Sequence, residues 1–173
     1  MIEVSQIFSD ENHSCEIDFS SAFWATDQLY DIFHNAGLTI WHDVDFVAET
    51  NDELLLVEYK NSNLPKAVNA FNPLEEEKLD NVARKYYESS YYLQAVRQVE
   101  QKKKKFVYIL EHKNGDSVMR KMVRKRLSAR LPFRLQNQLA LPGKWIESLE
   151  VLSVAEWNEK YAQFPLKLGE GDR

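Results

Sequence analysis

The chain has 173 residues, of which 44% are hydrophobic, and a formal net charge of −5; this length predicts one domain, residues 1–173, that can bury a core. No apolar run approaches the ~20 residues of a membrane span, and the N-terminus lacks the pattern of a signal peptide, so we expect a cytoplasmic protein. The single cysteine, Cys15, excludes an intrachain disulfide framework, and four scattered histidines without a CxxC or HExxH motif argue against a zinc site.

Charge is distributed very unevenly along the chain. Residues 1–59 contain 13 acidic residues and no lysine or arginine, whereas residues 60–134 contain 18 basic and 8 acidic residues. An acidic stretch suits cation binding, and a basic stretch suits phosphate binding. Alternatively, the two stretches simply neutralise each other across the fold, and the sequence leaves both interpretations open.

The first part of the chain predicts one helix. Cys15–Phe19 fits either a short strand or the lead-in to that helix. Residues 20–36 begin with serines that suit an N-cap, and Gly37 is typical of the residue that follows a helix. Asp27 and Asp31 lie one turn apart on this predicted helix. They form either a solvated face or a further ligand of a metal ion.

Residues 38–62 predict two strands joined by a tight turn. Asn51 and Asp52 are residue types that close hairpin turns. After the turn, Leu54–Val57 is a continuous apolar run, which is typical of a strand buried on both faces. A carboxylate and an ammonium follow this run directly, and burying such charges is costly unless they are paired or bound to a metal ion.

The turn also predicts which residues of the hairpin face each other. An even-length loop centred on it places Asp45 opposite Glu58 and Asp43 opposite Lys60, with directly opposed Cβ atoms roughly 4.5–5.5 Å apart on one face. Two carboxylates at that spacing can hold one divalent ion that prefers oxygen ligands. Alternatively, Asp43 and Lys60 form a cross-strand ion pair while the two carboxylates lie in solvent at a sheet edge. Opposed carboxylates destabilise a sheet without a cation, which favours the metal site.

The middle of the chain predicts a long helix, a basic turn and a strand. Residues 74–101 have apolar residues at helical spacing and acidic residues in the first turn. A run of four lysines, which includes Lys102, Lys103 and Lys104, breaks the helical pattern before a predicted buried strand at Phe106–Leu110. The run fits a phosphate-attracting edge or a solvated turn.

The next segment predicts a basic helix over residues 117–130, capped by Asp116 or Ser117. Four apolar residues are expected to point inward: Val118, Met122, Val123 and Leu127. Arg120, Arg124 and Lys125 are among the basic residues expected on the outside, and they form the most nucleic-acid-like surface of the chain. A helix this basic could equally pair with the acidic first third.

The C-terminal part predicts one more strand and helix. Ser148–Val154 favours a strand, and the spacing of Ser153 and Glu156 is that of a capping box that begins a short helix over residues 155–164. The complete order of elements predicts an α/β fold in which helices flank a mixed β-sheet.

Asp45, the turn, and a strand that ends in Glu58-Tyr59-Lys60 resemble the D-x(n)-(D/E)-x-K motif of the PD-(D/E)xK nuclease superfamily. The order of helix, hairpin, long helix and strand is also similar. The resemblance covers about residues 20–110, and it implies a restriction-endonuclease-like, three-layer core with a C-terminal strand and helix as an extension.

The resemblance implies a nuclease that hydrolyses phosphodiester bonds, with DNA as the expected substrate. Asp45 and Glu58 would bind Mg²⁺ (or Mn²⁺), together with the backbone carbonyl of Tyr59, and Lys60 would orient the attacking water and stabilise charge on the phosphate. The family often uses a glutamate on the first helix, where this chain has only aspartates. Some members use a lysine on the helix after the motif, for which Lys78 is the nearest candidate.

Two functions therefore remain open at the level of the sequence. One is a Mg²⁺-dependent endonuclease whose basic residues bind nucleic acid: Lys78, Lys102, Lys103, Lys104, Arg120, Arg124 and Lys125. The other is a noncatalytic module that keeps the fold and binds nucleic acid or a protein. A homodimer or a partner protein is compatible with either.

Overall fold

The computed structural model describes residues 6–64, 71–112 and 116–169, which form two β-sheets and five helices. A five-stranded mixed sheet has the order β3-β4-β5-β6-β7, and a smaller antiparallel sheet has the order β1-β2-β8. The strands are β1 (Ile7–Ser9), β2 (Cys15–Asp18), β3 (Trp24–Thr26), β4 (Phe46–Glu49), β5 (Glu53–Asn61), β6 (Lys103–Glu111), β7 (Ser148–Leu152) and β8 (Leu166–Leu168). The helices are α1 (Leu29–Asn35), α2 (Glu76–Val96), α3 (Ser117–Ser128), α4 (Phe133–Gln138) and α5 (Val154–Lys160).

The centre of the large sheet is covered on both faces. Leu54–Val57 of β5 are fully buried, as the continuous apolar run predicts. One face packs against α1, α2 and α3, and the other packs against α5 and the small sheet. The predicted mixed α/β fold is therefore confirmed, while an antiparallel sheet covers part of one face where only helices were expected. No helix in the described ranges is both long and apolar enough to cross a membrane.

The predicted register of the hairpin is confirmed along β4, whose ladder with β5 stops before Asp45 and Asp43. Phe46 pairs with Val57 and Glu49 pairs with Leu54 in antiparallel β4 and β5. The backbone N–H of Thr50 donates to the carbonyl of Glu53 at 2.9 Å, so Asn51 and Asp52 form a two-residue loop. On the other side, β5 runs parallel to β6, and α2 makes the crossover between them.

The predicted helix over residues 20–36 is wrong in its first half. Trp24–Thr26 instead form the edge strand β3, antiparallel to β4, and only Leu29–Asn35 are helical. Pairing with the edge of the sheet outweighs the local preference of these residues for a helix. The backbone of β3 pairs with β4 alone, because β3 is the edge strand. The predicted role of Gly37 is confirmed, because it follows the helix with φ of +76° in the left-handed region.

The long helix is shorter than predicted, and of the two alternatives for the lysine run the solvated turn does not hold for its last three residues, which are in a strand. The helix α2 ends at Val96, and Arg97 is already extended. The strand β6 begins at Lys103, which pairs with Glu53, so the last three lysines belong to the sheet. Pairing with β5 extends this strand beyond its apolar run, with Lys105 forming an ion pair to Glu53 at 2.6 Å.

The C-terminal part adds two elements that the sequence pattern did not predict, α4 and β8. Asp116 caps α3 by accepting from the backbone N–H of Met119 at 2.9 Å, and both bonds of the Ser153–Glu156 capping box are present at the start of α5. On α3, Val123 and Leu127 are buried, whereas the inward positions predicted for Val118 and Met122 are wrong because both are exposed. The helix has a narrower apolar stripe than its sequence suggests.

Candidate functional site

The acidic residues of the hairpin line a small cleft at the end of β5. We call it the acidic cleft. Its volume is about 130 Å³, and its lining residues come from the N-terminal segment, the hairpin and α2. They are Asp10, Glu11, Asn12, Ser14, Asp45, Glu58, Tyr59, Lys60, Asn61 and Lys85.

The hairpin brings the two predicted carboxylates together. Asp45 lies one residue before β4, where the register continued from Phe46–Val57 places it opposite Glu58. The ladder itself stops at Phe46, and the backbone N–H of Tyr59 donates to Oδ2 of Asp45 at 2.8 Å. Asp45 is thereby fixed to β5 by its side chain, on the sheet face that α2 covers.

Glu58 is held from the opposite direction by α2. Its Oε1 accepts from Nζ of Lys85 at 2.6 Å, and its side chain is 8% exposed. Its other oxygen, Oε2, is fully buried and has no hydrogen-bond partner among the described residues. A buried acceptor without a partner costs free energy, so this oxygen marks a place where a proton or a cation would be favourable.

The electrostatics of the acidic cleft point to the same deficit of positive charge. Burial, reinforced by the charge of Asp45, raises the pKa of Glu58 to about 8, although Lys85 acts against the shift. Burial also raises the pKa of Asp45 and that of Asp43. Burial alone would lower the pKa of Lys85, but the charges of Glu58 and Asp45 raise it. Three carboxyl groups are thus close to the single ammonium of Lys85. Because their pKa values are raised, they keep their protons at a pH at which isolated carboxyl groups would be ionised.

Lys60 lines the acidic cleft but does not form the ion pair with Glu58. It is exposed, and its Nζ lies 5.1 Å from the centre of the Phe71 ring. Lys85 takes the position beside the carboxylates, two helical turns after Lys78, which is exposed on α2. The hairpin motif in the sequence does not indicate Lys85 as a residue of this site.

A sequence signal for Lys85 does exist. The residue lies within one turn of Val82 and Ser89, which are buried, and next to buried Tyr86. A lysine on the apolar stripe of a helix that must pack on the strand carrying Glu58 predicts a buried ion pair.

A further metal ligand is not supplied by the residues proposed for it. Asp27 and Asp31 are not among the residues that line the acidic cleft, and Asp27 accepts a hydrogen bond from Gln28. Asp10 does line it, but its carboxylate already accepts from Cys15 N at 2.8 Å and Ser14 Oγ at 2.7 Å. Within the described ranges no group of three or more Asp, Glu, His or Cys side chains has an arrangement suited to a metal ion.

The basic residues predicted to bind nucleic acid are dispersed. Lys103 and Lys104 begin β6 and Lys102 directly precedes it, at the other end of the sheet from Glu58. Arg120 pairs with Glu156 at 3.0 Å, whereas Arg124 and Lys125 are exposed. The interpretation of mutual neutralisation therefore holds for several pairs, among them Lys102 with Glu49 at 2.7 Å.

Comparison of the chain with protein-family models, with curated proteins and with solved structures gave no match.

Proposed function

We propose that the chain is a metal-dependent nuclease acting on DNA, with its reaction centre in the acidic cleft. The observation that carries this proposal is the pair of half-buried Asp45 and buried Glu58, in which Oε2 of Glu58 has no hydrogen-bond partner among the described residues. Carboxylate oxygens are the ligands that Mg²⁺ and Mn²⁺ prefer, and a divalent ion would remove the excess negative charge of the cleft. The donor set therefore fits such an ion, with waters completing its coordination.

Each residue of the cleft has a separate part in this proposal. Asp45 and Glu58 would hold the ion, with the backbone carbonyl of Tyr59 as a further donor. The ion would supply Lewis-acid chemistry, polarising a phosphoryl oxygen and lowering the pKa of bound water. Lys60 reaches solvent at the rim of the cleft, where its ammonium would contact the phosphate. Lys85 keeps the Glu58 carboxylate in place through its ion pair.

One observation favours a second candidate, a noncatalytic module. Lys85 already provides a cation to Glu58 at 2.6 Å, so the ion pair can act as a structural element that needs no metal ion. In that case the exposed cations of α3 bind a nucleic acid or protein partner, and the acidic cleft catalyses no reaction.

Calorimetric titration with Mn²⁺ separates the two candidates. We expect wild-type protein to bind one Mn²⁺ ion and to nick plasmid DNA when it is present, because the cleft lacks positive charge. Asp45→Asn and Glu58→Gln should lose both properties, since each removes a charged oxygen ligand. Asp27→Asn is the matched control, because Asp27 lies outside the cleft.

Absence of binding at millimolar Mg²⁺ and Mn²⁺ in wild-type protein would contradict the nuclease and favour the noncatalytic module. Cleavage retained by a correctly folded Glu58→Gln variant would also contradict the assignment of the reaction centre. Circular dichroism of each variant establishes that it is folded.

A further inference from the structure

A second cleft lies at the opposite end of the large sheet, and we call it the basic cleft. Its volume is about 540 Å³, within the range of pockets that bind small molecules. Lys103, which lines it, pairs with Glu53 in the sheet, and Glu58 is five residues further along the same strand. At about 3.3 Å per residue, this places the two clefts roughly 16 Å apart. A ligand of the basic cleft would therefore occupy a separate site.

The unusual residue of the basic cleft is Lys104. It is 4% exposed, and its ammonium has no hydrogen bond or ion pair within the described part of the chain. The nitrogen is not among the fully buried side-chain atoms that lack a partner, so it has some exposed surface, and Lys104 is one of the residues that line the cleft. Burial lowers the pKa of this ammonium, and the charge of Glu100 only partly opposes the effect. A desolvated cation without a partner at the wall of a cleft is complementary to an anion.

The charges around Lys104 leave the basic cleft positive. Four lysines and two glutamates line it: Lys102, Lys103, Lys104, Lys144, Glu100 and Glu147. The charge of Glu147 is balanced by Lys144 at 3.4 Å, and Lys102 is paired with Glu49 outside the cleft. This leaves Glu100 and two lysines, Lys103 and Lys104, among the charged residues of the cleft wall that have no ion pair in the described ranges. The excess of positive charge favours an anion of one or two charges.

The basic cleft is also lined by an aromatic residue, Trp145. Trp145 is 42% exposed and lines the cleft. Its backbone is fixed on both sides, because its carbonyl accepts from Tyr86 Oη at 2.5 Å and its N–H donates to Gln136 at 3.1 Å. A partly exposed indole on an anchored backbone offers a stacking surface for a planar ring. Gln101 lines the same cleft, and a glutamine side-chain amide can hydrogen-bond to a polar ring edge.

We propose that the basic cleft binds a nucleoside 5′-phosphate, with the phosphate on Lys104 and the base against Trp145. This ligand class joins the two features that the cleft presents, a group that accepts strong hydrogen bonds from an ammonium and a planar ring. The same chemistry is available from a free nucleotide and from the phosphorylated end of a strand. The site is independent of the reaction centre proposed in the acidic cleft.

Calorimetry with adenosine 5′-monophosphate, adenosine and inorganic phosphate tests this assignment. We expect wild-type protein to bind the monophosphate at least tenfold more tightly than adenosine or phosphate, because only the monophosphate uses both walls. Lys104→Met, which keeps an unbranched side chain of similar length but removes the ammonium, should weaken its binding about tenfold or more. Trp145→Ala should weaken binding of the monophosphate but not that of phosphate. Lys121→Met, on the exposed side of α3, is the matched control for loss of one charge and should bind as wild type does.

A short oligonucleotide with a 5′-phosphate then identifies the source of the ligand. Tighter binding than that of the monophosphate assigns the cleft to strand ends, and equal or weaker binding assigns it to the free nucleotide. The proposal is overturned if wild-type protein does not bind the monophosphate at millimolar concentration, or if folded Lys104→Met binds it as wild type does. Titration of Lys104→Met with Mn²⁺ reports on the acidic cleft separately.

Discussion

The side chain of Glu58 is buried, lies near the carboxylate of Asp45 and forms an ion pair with Lys85. Its oxygens have different surroundings, because Oε1 accepts from Lys85 whereas Oε2 has no partner among the described residues. Its pKa, raised to about 8 by burial and by Asp45, means that the folded chain holds a proton that the unfolded chain has lost. Glu58 in the metal-free protein therefore opposes folding at pH 8 and less so in acid.

This linkage predicts an inverted pH dependence of stability for the metal-free protein. Between the ordinary pKa of 4.5 and about 8, the native state binds more protons at Glu58 than the unfolded state does, so the free energy of unfolding falls as pH rises. The slope from one such group reaches at most about 1.4 kcal/mol per pH unit. Glu58→Gln should flatten this slope and be more stable than wild type at pH 8. Urea denaturation in EDTA from pH 5 to pH 8 measures both effects.

Glu77→Gln, on the exposed face of α2, is the matched control and should keep the wild-type slope. A Glu58→Gln slope equal to that of wild type would show that Glu58 is ionised throughout this range. The ion pair with Lys85 would then outweigh burial, contrary to the charge deficit inferred for the cleft.

The elements of the fold differ in how well local sequence predicts them. The hairpin was predictable because the Asn51-Asp52 turn and the alternation around it determine one register. The first strand of the sheet was not, because Trp24–Thr26 become extended only through pairing with β4. The same limit explains the missed β8, which pairs with β2 across almost the whole length of the chain.

Side-chain partners were harder to predict than elements. The sequence indicated Asp45 and Glu58 correctly as neighbours, since both belong to one hairpin. It gave Lys60 as the adjacent cation, whereas Lys85 of α2 contacts Glu58. The rotation of α2 about its axis depends on packing against the whole sheet, and a motif confined to two strands carries no information on it.

The helix α3 permits a test of nucleic-acid binding at the level of one element. Arg120, Arg126 and Arg130 are engaged by acidic side chains, whereas Arg124 and Lys125 are exposed and have no such contact in the described ranges. If α3 contacts phosphates, Arg124→Ala combined with Lys125→Ala should lower the slope of log K against log [salt] by about 2 for duplex DNA. Fluorescence anisotropy at several salt concentrations measures this slope.

Lys160→Ala combined with Lys167→Ala is the control with the same loss of charge. These lysines lie on α5 and β8, at the opposite face of the large sheet. An equal reduction by both double variants would mean that binding follows net charge alone, and that α3 is not the contact surface.

At the scale of the whole molecule, the acidic first third and the basic middle meet within the fold. Glu49 pairs with Arg97 at 2.6 Å and with Lys102 at 2.7 Å, and this ion-pair group joins β4 to the segment after α2. At this end of the sheet, acidic and basic parts of the sequence thus neutralise each other through ion pairs within the fold. At the other end, the carboxylates of the acidic cleft remain in excess, so a cation bound there should stabilise the entire fold.

We expect Mn²⁺ to raise the melting temperature of the wild-type protein. At a concentration ten times the dissociation constant, one bound ion contributes about 1.4 kcal/mol, which corresponds to roughly 3–6 °C for a domain of this size. The increase should be smaller at pH 5.5 than at pH 8, because a proton on Glu58 competes with the ion. Differential scanning fluorimetry measures both.

Glu58→Gln should show no increase at either pH, whereas Asp27→Asn should respond as wild type does. A similar increase in Glu58→Gln and wild type would place the ion elsewhere on the chain. The same series therefore tests the location of the ion without depending on catalysis.

The hydrogen bond from the Tyr59 backbone to Asp45 affects how such variants must be chosen. Asp45 stands where β4 separates from β5, and its side chain supplies the acceptor that the next residue pair of the ladder would otherwise provide. Truncation to alanine would leave a backbone N–H unpaired and loosen the end of the hairpin, together with the position of Glu58. Asparagine keeps the acceptor and removes only the charge. A null result from Asp45→Ala would thus confuse an opened hairpin with a lost ligand, whereas Asp45→Asn separates the structural role of this residue from its chemical one.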